Sequence, residues 1–444
     1  MKNIIGIRLE NKNIWEKRVP IVPNDMKDLI DKESIDFIVQ SSSIRAFKDE
    51  EYREIGVKVI PDIEEANVIF AIKEIPLPVI EAQDSPKTYI FFSHTIKGQK
   101  HNMSMLKKIM ETKSNLIDYE KVVNEKGLRL IFFGNWAGLA GMIEILWGFG
   151  QRVKFNNNIE NPFLRIKHTW EYKNLDSARK AVSEVGKDII EKGLPKELVP
   201  LVIGFAGYGN VSTGAQSMLD FLPIEEIEPT ELKDFYNRGE FSRNCIYKVV
   251  FKEKHMVDPI EGEFNLQHYY NHGKTKYQGV FNQYFPYLSI LVNAIYWSDK
   301  YPRLITKKFL KAEFESGKDI RCQIIGDISC DIEGGIEPTL KTTKPDNPVF
   351  IYNPFSDEAT VGLKGIGMAI MAVDNLPCEL PVESSTSFSM TLKPFVSIIA
   401  KADYSKPFSE LDLPPVLKNA VIVYQGELTP NYKYIEEFDA FKGA

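Results

Sequence analysis

An α/β chain of two doubly wound parallel sheets with a cleft between them is the fold class the sequence predicts, on three observations. Short apolar runs alternate with helix-like stretches over the first 120 residues, and a second such series starts at Val199. At the head of that second series, VPLVIGFAGYGNVSTGAQ (199–216) passes from an apolar run through a glycine cluster into a helix-like stretch. This order places backbone N–H groups at a helix N-terminus where a pyrophosphate can sit, so both sheets are expected to be Rossmann-like. Finally, the proline-broken segment MAVDNLPCELPVE (371–383) leads to a helix-like stretch over 385–400, read as a return to the first domain. The domains are therefore placed at 1–134 (substrate, first part), 135–378 (dinucleotide) and 379–444 (completing the first).

Taken in order, residues 3–8 form an opening strand, and a polar loop follows with Glu10, Lys12, Glu16, Lys17 and Arg18. Asn24 is a candidate cap for a helix over 25–31. Strands are expected at 35–39, 57–60, 68–72, 88–92 and 116–117. Parallel sheets bind ligands beyond the carboxyl ends of their strands, and Lys73, Glu74, His94, Asp118 and Glu120 all fall at such ends. The stretch 130–150 approaches a bilayer's length, but Asn135 and Glu144 interrupt it and glycine recurs. A strand over 130–133, a glycine turn and a buried helix are expected there. A helix over 177–191 precedes the glycine cluster. In that cluster Gly207 and Gly209 supply the first two glycines of G-x-G-x-x-G, Ser212 replaces the third, and Gly214 follows two positions later. Strands are then expected at 224–227, 246–251, 290–295, 324–328 and 349–352, and an apolar run at 421–424 lies in the tail. Glu228 stands roughly 20 residues past the glycines, where an acidic side chain can bind a ribose hydroxyl; a solvated cluster with Glu225 and Glu226 is the alternative.

Composition narrows the partners. A net charge of −6 and the lack of any basic run exclude a nucleic-acid-binding class. Cys245, Cys322, Cys330 and Cys378 have no paired-ligand spacing, so neither a metal nor a disulfide framework is expected, and a cytoplasmic setting fits. MKNIIGIRLENK has no apolar core of a signal peptide.

Ten stretches together, among them IGIRLENKNIWEKRVPIVP, AIKEIP, FFSHTIKGQ, NLIDYE, GLRLIFFGNWAGLAGMI, GFAGYGNVSTGAQ, IGDISCDIEGGIEP and AVDNLPCELPVE, carry a family resemblance along nearly the whole chain. The chain resembles the lysine–2-oxoglutarate reductase half of aminoadipic semialdehyde synthases, that is, lysine-forming saccharopine dehydrogenase. More distantly it is similar to alanine dehydrogenase and the proton-translocating transhydrogenase subunit. The resemblance implies a stand-alone reductase that condenses L-lysine with 2-oxoglutarate and reduces the imine to saccharopine with NADP(H) or NAD(H). It involves small-molecule substrates, no nucleic acid and no membrane, and leaves a homo-oligomer open. An amino acid dehydrogenase like alanine dehydrogenase, or a non-catalytic nucleotide-binding subunit, are the alternatives.

By resemblance Lys73 and His94 are the acid–base pair, and Lys12, Arg18, Glu74, Gln99, Glu120, Arg129 and Phe133 surround the substrate. Arginine forks suit the three substrate carboxylates, and Arg18 and Arg129 are expected to hold them. On the cofactor side the resemblance points to Gly207, Gly209, Asn210, Val211, Glu228, Asp327, Asp374, Asn375, Leu376 and Pro377. Asp331 lies where alanine dehydrogenases carry an aspartate. Glu228 favours NAD on electrostatics, whereas the bifunctional relatives suggest NADP(H), for which Arg238 or Arg243, the nearest downstream arginines, would be the phosphate partner.

Overall fold

The structure is a computed structural model that describes residues 3–444. In chain order its strands are β1 (Ile4–Ile7), β2 (Asp36–Gln40), β3 (Lys58–Ile60), β4 (Val68–Phe70), β5 (Thr88–Phe91), β6 (Asn115–Asp118), β7 (Val202–Ala206), β8 (Ile224–Glu226) and β9 (Ile246–Phe251). They continue with β10 (Val257–Pro259), β11 (Tyr277–Gly279), β12 (Ile290–Asn293), β13 (Ile324–Asp327), β14 (Val349–Asn353), β15 (Glu358–Val361), β16 (Met368–Met371), β17 (Val421–Tyr424) and β18 (Glu427–Leu428). Two compact units result, one of Met1–Phe133 with Pro381–Ala444, the other of Gly134–Leu380. Both are doubly wound and Rossmann-like.

The first unit holds an eight-stranded sheet in the order β18-β17-β6-β5-β4-β1-β2-β3. From β6 to β3 every pair is parallel, while β17 and β18 join antiparallel at the β6 side. The chain winds outward through β1, β2 and β3, then returns and winds the other way through β4, β5 and β6. The order reverses between β1 and β4, and the carboxyl ends of these two strands open a crevice. Buried Ile5, Ile7, Val39, Phe70, Ile90 and Ile117 build the core, with Phe388 and Val396 from the helix Pro381–Lys401. That helix lies on Pro23–Glu33, where Lys393 donates to Asp25 (2.9 Å) and Asp28 (2.6 Å).

The second unit has the order β15-β14-β16-β13-β12-β7-β9-β8, with β8 and β15 at the edges and a separate two-stranded antiparallel sheet of β10 and β11. β7 pairs in parallel with both β9 and β12, so the order reverses between β7 and β12. The helix Gly134–Asn157 packs against Asn210–Leu219 at backbone distance. A Cβ on Gly138 would run into the Val211 carbonyl, and one on Gly214 into the Asn135 carbonyl. Gly214 thus supplies the close approach that the fingerprint assigns to its third glycine. Ser212, buried one turn earlier, accepts from the Gln216 amide (2.9 Å).

Several expectations are corrected. Residues 130–133 form no strand, because Leu130 bonds back to Val122 in a turn stapled by a single Val123–Arg129 bridge. Pro23 takes the first helical position, so Val22 is the cap residue and Asn24 lies inside the first turn. The proline-broken segment begins on Met371, the last residue of the buried strand β16, whose apolar run reads equally well as helix. No helix among the described residues is long and apolar enough to cross a membrane.

Gly138→Ala, which drives a Cβ into backbone rather than into a movable side chain, is expected to cost about 2–3 kcal/mol. It should lower the melting temperature of the second unit, read by differential scanning calorimetry.

Candidate active site and dinucleotide cradle

In the first unit the loops that leave the carboxyl ends of β1, β4, β5 and β6 carry Glu10 to Arg18, Lys73–Glu74, His94 and Glu120. Glu10 is buried and accepts from the backbone N–H of Ile72 (2.6 Å) and of Lys73 (3.2 Å), tying the β1 loop to the end of β4. Glu16 and Arg18, 0 % and 2 % exposed, form a two-pronged ion pair: Nε to Oε1 at 2.7 Å and Nη2 to Oε2 at 2.6 Å. The Arg18 guanidinium lies 4.2 Å over the Phe133 ring, which stacks on Phe388 at 4.5 Å. Glu74 accepts from Lys12 Nζ (3.1 Å) and pairs with His94 Nδ1 (2.6 Å). His94 adopts the left-handed backbone region (φ 47°), and its carbonyl accepts from Asn102 (3.2 Å), which anchors the backbone at the strand end.

Charge states follow from this burial. Lys73 titrates below an ordinary lysine, first because it is desolvated, then because Arg18 and Lys12 repel its proton; Glu16 and Glu74 act against that. Burial pushes Glu74 up, but the hydrogen bond and charge of His94, with Lys12, outweigh it and leave the carboxyl well below the usual range. Burial, then Glu16, raises Glu10 to about 7. Asp118 rises to about 6 by burial, although it accepts from Ser93 and from the Glu120 N–H (2.7 Å).

The remaining predicted residues are looser. Arg129 is half-exposed and pairs with Glu120 at 3.0 Å, so the two form one unit. Gln99 precedes the helix Lys100–Glu111 and accepts from the Lys97 N–H (3.1 Å). Among residues with no role assigned by the sequence reading, Glu10 stands out; its burial is invisible in a polar-looking loop.

In the second unit Gly207 follows β7 with φ 100°, and a Cβ there would meet the Ala294 carbonyl at 3.0 Å. Gly209 has open space above it. The helix Asn210–Leu219 starts with no side-chain cap, so its first N–H groups, from Asn210 and Val211 onward, remain available to an anion. Beside this turn a cavity of about 380 Å³ is lined by Gly207, Tyr208, Gly209, Glu253, Tyr270 and Ile295 among others. A glycine cradle, an uncapped helix start and an adjoining cavity fit a dinucleotide.

The other cofactor candidates sit differently. Asp327, 1 % exposed, accepts from Asn293 (2.8 Å), Thr339 (2.6 Å) and the Cys330 N–H (3.1 Å), and burial raises it to about 6. Those bonds pin the ends of β12 and β13 together. Asp374 is exposed after β16, while Asn375, Leu376 and Pro377 are buried in the turn that follows. Asp331 is exposed, and its carbonyl accepts from the Gly334 N–H (2.9 Å). Glu228 lies two residues past the edge strand β8, with β9 between that strand and the glycine strand. Arg238 and Arg243 cannot face the cradle: the crossover from β8 returns the chain to the amino end of β9, where Arg243 donates to the Leu194 carbonyl (2.8 Å).

Two domain families match the chain: "Alanine dehydrogenase/PNT, N-terminal domain" over residues 6–140 and "Alanine dehydrogenase/PNT, C-terminal domain" over 274–431. The chain is 35% identical to mitochondrial alpha-aminoadipic semialdehyde synthase of Rattus norvegicus over 98% of its own length and 48% of that protein. It therefore spans about half the length of such curated relatives. It is 26% identical to saccharopine dehydrogenase [NAD(+), L-lysine-forming] of Candida albicans, over 90% of this chain and 93% of the other. Among solved structures, an L-alanine dehydrogenase superposes with a TM-score of 0.63 at 15% identity, covering 99% of each chain, a likeness of fold.

The raised carboxyls set a pH dependence. Folding lifts Glu10 from 4.5 to about 7, so the folded chain binds the extra proton between those values. That stabilisation is complete below pH 4.5 and is lost as pH rises through 7. Asp118 and Asp327 act in the same direction at lower pH. Tm is expected to fall between pH 5 and pH 8, and Glu10→Gln should flatten that fall, as followed by thermal melts across the range.

Proposed function

The chain belongs to the alanine dehydrogenase/PNT family, and from that premise we propose that it is an NAD(P)-dependent oxidoreductase of lysine degradation that joins L-lysine to 2-oxoglutarate as saccharopine, and reverses the reaction. The observation that carries this reading is the Lys73–Glu74–His94 group, in which a depressed lysine and a histidine flank a carboxylate bonded to the histidine.

The substrate ε-amine must be neutral to attack the ketone carbon. Water must then leave the carbinolamine, with one proton delivered to the departing hydroxyl. Lys73, easier to deprotonate than a solvated lysine, takes the amine proton. His94, oriented through Nδ1 by Glu74, moves the proton at the hydroxyl. Arg129, half-exposed beside Glu120, offers its guanidinium to a substrate carboxylate, whereas Arg18 is buried in its pair with Glu16 and would have to share that guanidinium. Arg18 has a second duty, since removing it strands the buried Glu16. The nicotinamide cofactor, when bound, supplies the hydride that reduces the imine carbon. Gly207, Gly209 and the N–H groups of Asn210 and Val211 would hold its pyrophosphate.

Purified protein is expected to oxidise NAD(P)H with 2-oxoglutarate plus L-lysine and not with pyruvate plus ammonia. The reverse result would make it an amino acid dehydrogenase. Lys73→Met should lower kcat by about 100-fold or more while the nucleotide dissociation constant, measured by calorimetry, stays within about twofold. Equal loss of both would remove Lys73 from the proton chemistry.

A further inference from the structure

The strand order of the second unit relocates the ribose-reading position. In a dinucleotide fold the acidic residue that holds the adenosine ribose stands at the carboxyl end of the strand next to the glycine strand. Counting along the sequence leads to β8 and Glu228. Across the sheet, however, the neighbour of β7 is β9: Val202 to Ala206 pair with Tyr247 to Phe251 in unbroken register. β8 lies one strand further out, about 10 Å from β7 at the usual spacing. It also stops short, since its last residue, Glu226, is level with Lys248, three residues before β9 ends. Glu228 is exposed there and its charge acts on His255.

The second residue past the end of β9 is Glu253, and it lines the cavity beside Gly207 and Gly209. Two phenols hold its carboxylate in place: Tyr208, from within the glycine turn, donates to Oε2 at 3.1 Å, and Tyr270 donates to Oε1 at 2.6 Å. Each carboxylate oxygen keeps a further lone pair for a hydroxyl donor. Tyr269 and Tyr301 add aromatic surface to the same cavity. Lys252 does not line the cavity, and its Nζ lies 6.0 Å from the centroid of the Tyr208 ring.

We infer that Glu253, and not Glu228, binds the adenosine ribose hydroxyls, and that the cradle therefore takes NAD(H) in preference to NADP(H). The inference rests on the dinucleotide reading of the cradle. A vicinal diol donates to both oxygens of the positioned carboxylate, whereas a 2′-phosphate would bring two like charges into contact.

The test is calorimetric titration of NADH and of NADPH into the full chain, with Glu253→Gln, Glu253→Asp and Glu228→Gln beside wild type and thermal melts to verify folding. Wild type should bind NADH at least about tenfold more tightly than NADPH. Glu253→Gln should weaken NADH about tenfold, as for a lost charged hydrogen bond, without weakening NADPH. Glu228→Gln should leave both within about twofold. Tighter binding of NADPH to wild type, or a larger NADH loss in Glu228→Gln than in Glu253→Gln, overturns the assignment. Absence of binding by either nucleotide would overturn the cofactor reading itself, while the expected binding pattern without lysine-dependent turnover would overturn only the proposed reaction.

Discussion

The strands whose ends carry candidate functional residues run parallel to one another within each sheet, and the remaining features follow from that constraint. Parallel pairing forces each connection to cross back over the sheet, so all carboxyl ends emerge on one edge. Glu10, Lys73, His94 and Glu120 are up to 110 positions apart in the chain, yet each leaves from that edge of one sheet. The same rule brings the glycine turn after β7, the Ala294 carbonyl after β12 and Glu253 after β9 around one cavity.

Charge burial is the cost of the arrangement in the first unit. Glu16 and Arg18 are removed from water as a pair, and neither could remain ionised there alone. Burial and then Glu16 raise the proton affinity of Glu10, and its two backbone N–H donors offset only part of that. Lys73 sits amid these groups, with cations lowering its proton affinity and anions restoring part of it. The site is thus a balance of alternating charges in which a change at one member alters the protonation of its neighbours.

Much of the architecture is legible in the sequence because β1, β2, β5, β9 and β13 are short apolar runs bounded by polar or glycine breaks, and period and length identify them. The reading fails where local signals are degenerate. Met368–Met371 has an apolar composition that helix and strand share, and the 130–133 run is apolar without being paired. Lys73 and His94 could be singled out because strand ends mark themselves by a switch from apolar to charged residues. Glu10 stayed unassigned because burial is a tertiary fact, and a glutamate in a polar loop carries no sign of it. The acidic residue inferred to hold the ribose differs from the one that spacing along the chain selects, for a topological reason. Spacing along the chain equals spacing across the sheet only when successive strands are neighbours, and β8 and β9 exchange places.

That exchange has an effect at the border of the sheet. β8 presents Glu225 and Glu226 on the outermost strand, with Glu226 paired to Lys248. A short, acidic outer strand is a poor template for the backbone of another chain. The outer position of β8 therefore also shields the flank of the sheet from intermolecular β-pairing, and covers β9 over Ile246 to Lys248 on the side away from β7.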